Sequence, residues 1–354
     1  MVAGTVRLAD HTTMRVGGPA GRWVEASTEA DLVEAVRTAD ADGEPVLVLG
    51  GGSNVLVSDE GFDGTVVHVA TRSLQVAGGV CRIDDPQGAQ CGGAVIQVAA
   101  GESWDDFVAA AIDNKWRGVE ALSGIPGSVG ATPIQNVGAY GQEVAESIES
   151  VRTWDRTTNR FSTFAASDCG FGYRSSRFKA EPARYVVLSV TFQFHQGNVS
   201  MPVRYAELAR SLGIEPGAKA PMREVREAVL QLRRSKGMVL DAADHDTWSA
   251  GSFFTNPLLS TEQAAALPEA APRFVQPDGR VKSSAAWLIE AAGFGKGFGT
   301  PPATLSTKHT LALTNRGGAA AHDLLRLARQ VREGVRDRFG ITLVPEPVLV
   351  GLAL

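Results

Sequence analysis

Apolar side chains along this chain fall into helical spacing in four places and into strand spacing in most of the others. Residues 27–42 set Leu32, Val33, Val36 and Ala39 on one face, and Thr28 with Asp31 forms a capping-box pattern, so a helix is predicted there. Ser103 with Asp106 makes the same pattern ahead of a helix over Trp104–Asn114. Arg223–Ser235 reads as a third helix, and Leu324, Leu327, Ala328, Val331, Val335 and Phe339 mark a fourth. Strands are predicted at Val46–Leu49, Val55–Val57, Thr65–Val69, Ile148–Asp155, Arg160–Phe164, Tyr185–Phe194 and Ile341–Val350. The polar, glycine-containing stretch 78–93 predicts an exposed hairpin or insertion, residues 216–221 a linker, and no internal repeat is visible.

Two glycine clusters interrupt this pattern. VLVLGGGSNVLV places Gly50, Gly51, Gly52, Ser53 and Asn54 between two apolar runs. It lacks the GxGxxG frame, because a third glycine would fall at Val55 and a strand follows in place of a helix. A loop that brings backbone amides to a phosphate and a tight strand connection fit it equally. The second cluster, GIPGSVGATPIQNVGAYG at 124–141, holds five glycines and two prolines with no charged residue, and cannot be a regular helix or strand. Ordering such a segment costs much chain entropy, which is reasonable if it must wrap a large, flat, polar-edged cofactor.

Composition narrows the classes. At 354 residues the chain has room for two or three domains. A net charge of −5 gives no surplus for nucleic acid or anionic membrane. No apolar run reaches membrane-helix length, and MVAGTVRLADHTT lacks the layout of a secretory signal, so a cytosolic protein is expected. Three cysteines, none in CxxC, argue for isolated thiols, although a hairpin could bring Cys81 and Cys91 together. The six histidines show no ligand spacing, so no metal site is expected. Ser176–Lys179 fits SxxK without its partner motifs, and Gly295-Lys296-Gly297 lacks a P-loop frame. Three places could carry acid–base or anion chemistry: Tyr173-Arg174 in CGFGYRSSRFK, Ser252 in AGSFFTNP, and Glu346, held between Pro345 and Pro347. Spacing alone does not join them.

The ordered set HTTMRVGGPA, LGGGSNVLV, IPGSVGATPIQNVGAYG, FGYRSSRFK, AGSFFTNP, WLIEAAGFGKG and VPEPVLVG, spanning residues 11–351, resembles the UDP-N-acetylenolpyruvoylglucosamine reductases, in the type that carries a tyrosine loop. The resemblance implies an α+β chain: a vanillyl-alcohol-oxidase/PCMH-type FAD-binding fold of two α/β subdomains (1–72 and 73–215), then a C-terminal α/β substrate-binding domain (216–354), whose last helix and strand could return to the FAD part. It implies non-covalent FAD, NADPH as hydride donor, UDP-N-acetylglucosamine enolpyruvate as substrate, ping-pong turnover, and a cytoplasmic monomer with no nucleic-acid or membrane partner. By the same resemblance Gly50, Gly51, Gly52, Ser53, Asn54, Pro126, Gly127, Gly130, Ala131, Gln135, Asn136, Gly138, Ala139 and Tyr140 line the FAD. Arg174 matches the arginine that stabilises charge beside the substrate carboxylate, Ser252 the proton donor to C2 after hydride from flavin N5 reaches C3, and Glu346 the glutamate near the enolate. Tyr173, Tyr205, Lys236, Asn256 and His309 match substrate contacts. The proline directly after Glu346 and the length of 78–93 depart from the family pattern.

Overall fold

The computed structural model describes residues 5–78 and 93–354; Cys81, Cys91 and nearly all of the expected 78–93 insertion lie outside the described residues. The chain is mixed α and β, and divides into two units, Gly21–Gly51 with Asp63–Arg234, and Met1–Ala20 with Gly52–Phe62 and Ser235–Leu354. One passage between them falls inside the first glycine cluster, between Gly51 and Gly52.

The larger unit is built on an antiparallel sheet ordered Arg160–Ala165, Ile148–Asp155, Tyr185–Gln196, Gly93–Ala99, Leu74–Gly78, with Trp116–Arg117 paired to the end of the long third strand. The half-buried alternation that the sequence predicts holds only at the end of the long strand, where Phe192 and Phe194 are buried and Gln193 is exposed; Val186–Val190 are buried on both faces. Onto the row of Phe192 and Phe194 packs the helix Trp104–Asp113, through buried Trp104 and Phe107; the Phe107 and Phe192 ring centroids are 4.8 Å apart. Each such buried ring contributes about 1.5–3 kcal/mol by removal from water. Ser103 does cap this helix, accepting from the Asp106 N–H, but no reciprocal bond completes a capping box. At Thr28 the box is complete, ahead of Glu29–Ala41. A second, smaller sheet sets Val46–Leu49 parallel to Phe62–Val69. The expected linker, 216–221, lies inside the larger unit between two helices, Ala206–Leu212 and Met222–Ser235, which enclose a satellite core with Leu208, Val225 and Val229 buried.

In the smaller unit the helix Ala321–Phe339 lays Leu324, Leu327, Ala328, Val331 and Val335 into the core, with its first amides bonded to Asp59 (2.7 Å to the Ala321 N–H). The final strand is shorter than the sequence suggested. Only Val348–Val350 is strand, parallel to Val55–Val57, because Pro345 and Pro347 remove the N–H donors that a ladder through 341–347 would need. Among the described residues no helix is long and apolar enough to cross a membrane, and no group of three or more His, Cys, Asp or Glu could hold a metal ion.

Candidate active site

The larger unit brings the two glycine clusters together. A Cβ at Gly51 would lie 2.8 Å from the Gly127 Cα, so these loops touch backbone to backbone, and Gly51 remains exposed. Trp104, fully buried, ties the approach to the second loop: its Nε1 donates to the Leu122 carbonyl (3.0 Å) and its N–H to the Gly127 carbonyl (3.0 Å). Gly130 is accounted for by packing. Its N–H donates to the Ala100 carbonyl at 2.8 Å, and a Cβ there would sit 2.9 Å from the Ala100 Cα. Ala131 follows in the same short 3₁₀ turn, while Pro126 and Gln135 are half-buried on the loop.

Further along, Gly138-Ala139 pairs with Gln142-Glu143 in a two-residue hairpin. Its corner residues, Tyr140 and Gly141, have φ of +49° and +80°, the positive pair that a hairpin turn twisted to match its strands demands. Tyr140 is thereby set edge-on against Tyr205, ring centroids 5.5 Å apart and planes at 86°. Tyr205, 45% exposed, immediately precedes the helix Ala206–Leu212. Burial pushes the Tyr140 phenol up to about 12, with the nearby Arg233 guanidinium pulling the other way. Burial in turn lowers the affinity of Arg233 for its proton, opposed by Tyr140 and Asp105. Asp105 is desolvated too, yet its carboxyl is held below the usual range by a bidentate pair with Arg226 (2.6 and 2.9 Å) and by the Gly124 N–H. Arg233 belongs to none of the motifs in the sequence. A signal existed: a cation four residues after Val229, on the apolar face of its helix.

Tyr173 and Arg174 occupy the corners of a turn closed by paired bonds between Gly172 and Ser175, N–H to carbonyl, 3.0 and 3.2 Å. The Arg174 guanidinium donates to the Gly138 carbonyl at 2.7 Å and to the Asn136 carbonyl at 3.4 Å, and stands 5.5 Å from the Tyr173 ring centroid. Lys179 Nζ donates to the Arg174 carbonyl (3.0 Å), and the Ser176 hydroxyl donates to the Ile134 carbonyl, so the whole turn is tied to the glycine loop.

The smaller unit holds the other candidates. Phe253 and Phe254, both buried and mutually edge-on, anchor the segment that carries half-buried Ser252. Phe253 donates its N–H to Leu311 (2.8 Å) and accepts at its carbonyl from the Glu346 N–H (2.8 Å). Asn54 completes the set: its carbonyl accepts from the Val348 N–H (3.0 Å) and its Nδ2 donates to the Glu346 carbonyl (3.4 Å). Ser252 and Glu346, far apart in sequence, thus belong to one backbone-bonded patch, next to the end of the glycine turn. Gly52, with φ of +59°, packs against the His11 carbonyl and accepts from the Thr13 N–H (3.1 Å), so HTTMRVGG braces that turn; half-buried Ser53 follows. Asn256 spends its side-chain carbonyl on the Ala285 N–H (2.9 Å) at the start of the helix Ala285–Ala291. His309, half-buried, sits in the turn after Ser306 with its own carbonyl accepting from the Ala312 N–H (3.1 Å), and Lys236 follows the helix Met222–Ser235.

Known proteins resemble the chain along most of its length. Residues 242–350 match the family model described as UDP-N-acetylenolpyruvoylglucosamine reductase, C-terminal domain, and residues 20–160 match the one described as FAD binding domain. The chain is 61% identical over 352 residues to the UDP-N-acetylenolpyruvoylglucosamine reductase of Cutibacterium acnes, covering 99% of this chain and 90% of that one. It is 54% identical to the protein of the same name from Streptomyces coelicolor, covering 98% and 90%. Among solved structures, the Thermus caldophilus UDP-N-acetylenolpyruvylglucosamine reductase superposes with a TM-score of 0.65 at 26% identity, over 98% of this chain and 97% of that one.

Proposed function

The chain belongs to the UDP-N-acetylenolpyruvoylglucosamine reductase family, and from that premise we propose that it reduces UDP-N-acetylglucosamine enolpyruvate to UDP-N-acetylmuramate, with non-covalent FAD and with NADPH as reductant, in the cytoplasmic supply of cell-wall precursors. The observation that carries this reading is the backbone contact of Gly51 with Gly127, a glycine-lined strip joined through its loop to the Arg174 turn. That strip fits FAD. Peptide edges with no side chain over them let backbone dipoles approach a pyrophosphate, and the loop brings no charged group of its own. When bound, FAD supplies the electron pair drawn from NADPH to C3 of the enolpyruvyl group.

The protein's own residues deal with the charge and the proton. Negative charge then grows at C2, next to the substrate carboxylate, and Arg174 is the fixed cation for it. Ser252 gives its proton to C2, which a weak acid such as a hydroxyl can do only to a strongly basic carbon and from a held position. The two phenylalanines after it supply that rigidity. Glu346, with its N–H and carbonyl both bonded, stands near the developing enolate. Tyr205, Lys236 and Asn256 take the diphosphate, with Tyr173 and His309 as further substrate contacts. The two FAD subdomains (1–72 and 73–215), the substrate domain (216–354) and a monomeric state are part of the same reading.

Absorbance at the flavin band tests it. NADPH added anaerobically bleaches the purified protein, and the enolpyruvyl sugar restores the colour. In Ser252→Ala bleaching proceeds as in the parent and recovery slows at least about 100-fold, the usual worth of a positioned proton donor. A colourless protein, recovery at the parental rate in Ser252→Ala, or oxygen-dependent oxidation of an alcohol without NADPH would each overturn the reading.

A further inference from the structure

Arg174 has a backbone conformation that its residue type avoids. Its φ of +50° is left-handed, and an arginine gains nothing there from the local hydrogen bonding that lets asparagine visit the region. Such a conformation persists where surrounding bonds over-determine it. Those bonds lead to Asn136, which is only 1% exposed and itself left-handed at φ +46°. The Asn136 carbonyl accepts from the Arg174 head group. Its Nδ2 donates both to the Gly172 carbonyl (3.1 Å), at the base of the Arg174 turn, and to Glu143 Oε2 (2.6 Å). Its Oδ1 accepts from the Ala145 N–H (3.1 Å). Glu143 is the cross-strand partner of Gly138, whose carbonyl takes the other Arg174 donor. The bonds therefore close a ring, running from Glu143 through Asn136 and the Arg174 turn to the guanidinium, and from there through Gly138 back to Glu143.

We infer that Glu143 is a positioning residue for Arg174, acting through the buried Asn136 amide to fix both the turn and the head group at the substrate carboxylate. The inference rests on the proposed role of Arg174 in binding that carboxylate. It also gives Asn136 a task other than touching the cofactor, since both side-chain hydrogens and the side-chain oxygen already have partners within the protein. A carboxylate is the acceptor suited to the job. A charged acceptor holds an amide donor more strongly than a neutral one, and at 2.6 Å the contact is short for an N–H donor. A shift of about 1 Å in a clamping group can cost on the order of 100-fold.

Binding of two ligands separates positioning from mere support of the fold. UDP-N-acetylmuramate carries the lactyl carboxylate and UDP-N-acetylglucosamine lacks it, and calorimetry on the flavin-loaded protein without NADPH gives the affinity ratio without turnover. Glu143→Ala weakens the first ligand about 10- to 100-fold and the second less than about twofold. Glu143→Gln, whose amide oxygen can still accept the Asn136 bond, recovers most of the loss. In an Arg174→Ala background, Glu143→Ala changes the ratio no further. If Glu143→Ala fails to fold or to hold flavin, Glu143→Asp, one methylene short of Asn136, shows the same selectivity at smaller size. Equal weakening of both ligands, or an unchanged ratio, overturns the inference while Arg174→Ala still loses the preference. An unchanged ratio in Arg174→Ala itself sinks the carboxylate role of Arg174, and the inference with it.

Discussion

Replacing Gly51 by alanine puts the contact between the two glycine loops to a direct test. The added Cβ would stand 2.8 Å from the Gly127 Cα and 3.1 Å from its carbonyl carbon, whereas ordinary contact begins near 3.4 Å, so one loop must retreat by about 0.6 Å. Neither obstacle is a side chain that could rotate away. Both are backbone, and the Gly127 carbonyl is tied to the Trp104 N–H at 3.0 Å. Overpacking of this kind typically costs about 1–3 kcal/mol. At roughly 2–4 °C per kcal/mol for a unit of this size, the melting temperature falls by about 2–12 °C. Widening the strip by that amount also spoils the close approach of peptide dipoles. FAD affinity should therefore fall at least about tenfold, equivalent to about 1.4 kcal/mol. Differential scanning fluorimetry reads the first quantity, and flavin fluorescence titration of the stripped protein reads the second. Gly295→Ala is the control, since its Cβ would meet nothing within 4 Å and its effect should stay within about 0.5 kcal/mol. A Gly51→Ala protein that melts with the parent and retains flavin equally well would refute the backbone contact and the cradle built on it.

Two further outcomes follow from charge. Burial raises the Tyr140 phenol to about 12, so it ionises late; its contribution to stability is complete below pH 10 and lost as pH rises towards 12. An alkaline titration followed at 295 nm should show that late phase in the parent and lack it in Tyr140→Phe. Asp105 has the opposite sign. Its carboxyl is held low by Arg226 and the Gly124 N–H against the cost of burial, so its contribution is present above its ordinary value of 3.8 and is lost as pH falls below that. Asp105→Asn should lower stability at pH 7 by about 1–3 kcal/mol and flatten the acid limb of urea midpoints between pH 5 and 3; an unchanged limb counts against the pairing.

Much of this molecule is legible from neighbours in sequence. Thr28 and Asp31 mark a helix start, and Ile148–Asp155 forms as the strand its pattern predicts. Alternation around Phe192 and Phe194 marks the row that faces the core there, while Val186–Val190 are buried on both faces, and the stripe from Leu324 to Val335 fixes the buried side of the last helix. These features depend on residues within a turn or a few strand positions, where capping geometry and side-chain period act directly. The uncharged glycine loop at 124–141 was likewise visible as something other than helix or strand.

Pairings between distant segments were set by the tertiary structure alone. Nothing near Gly51 says that its backbone will rest on Gly127, and nothing near Glu346 says that its N–H will find Phe253. Prolines around Glu346 cut the final strand short, because a residue without an N–H cannot continue a ladder whatever the hydrophobic pattern around it. Asn136 reads in sequence like a polar residue awaiting a ligand; burial spends each of its hydrogen-bonding groups on the fold, since an amide taken out of water must find partners inside. Sequence named the residues, and burial decided which of them hold one another.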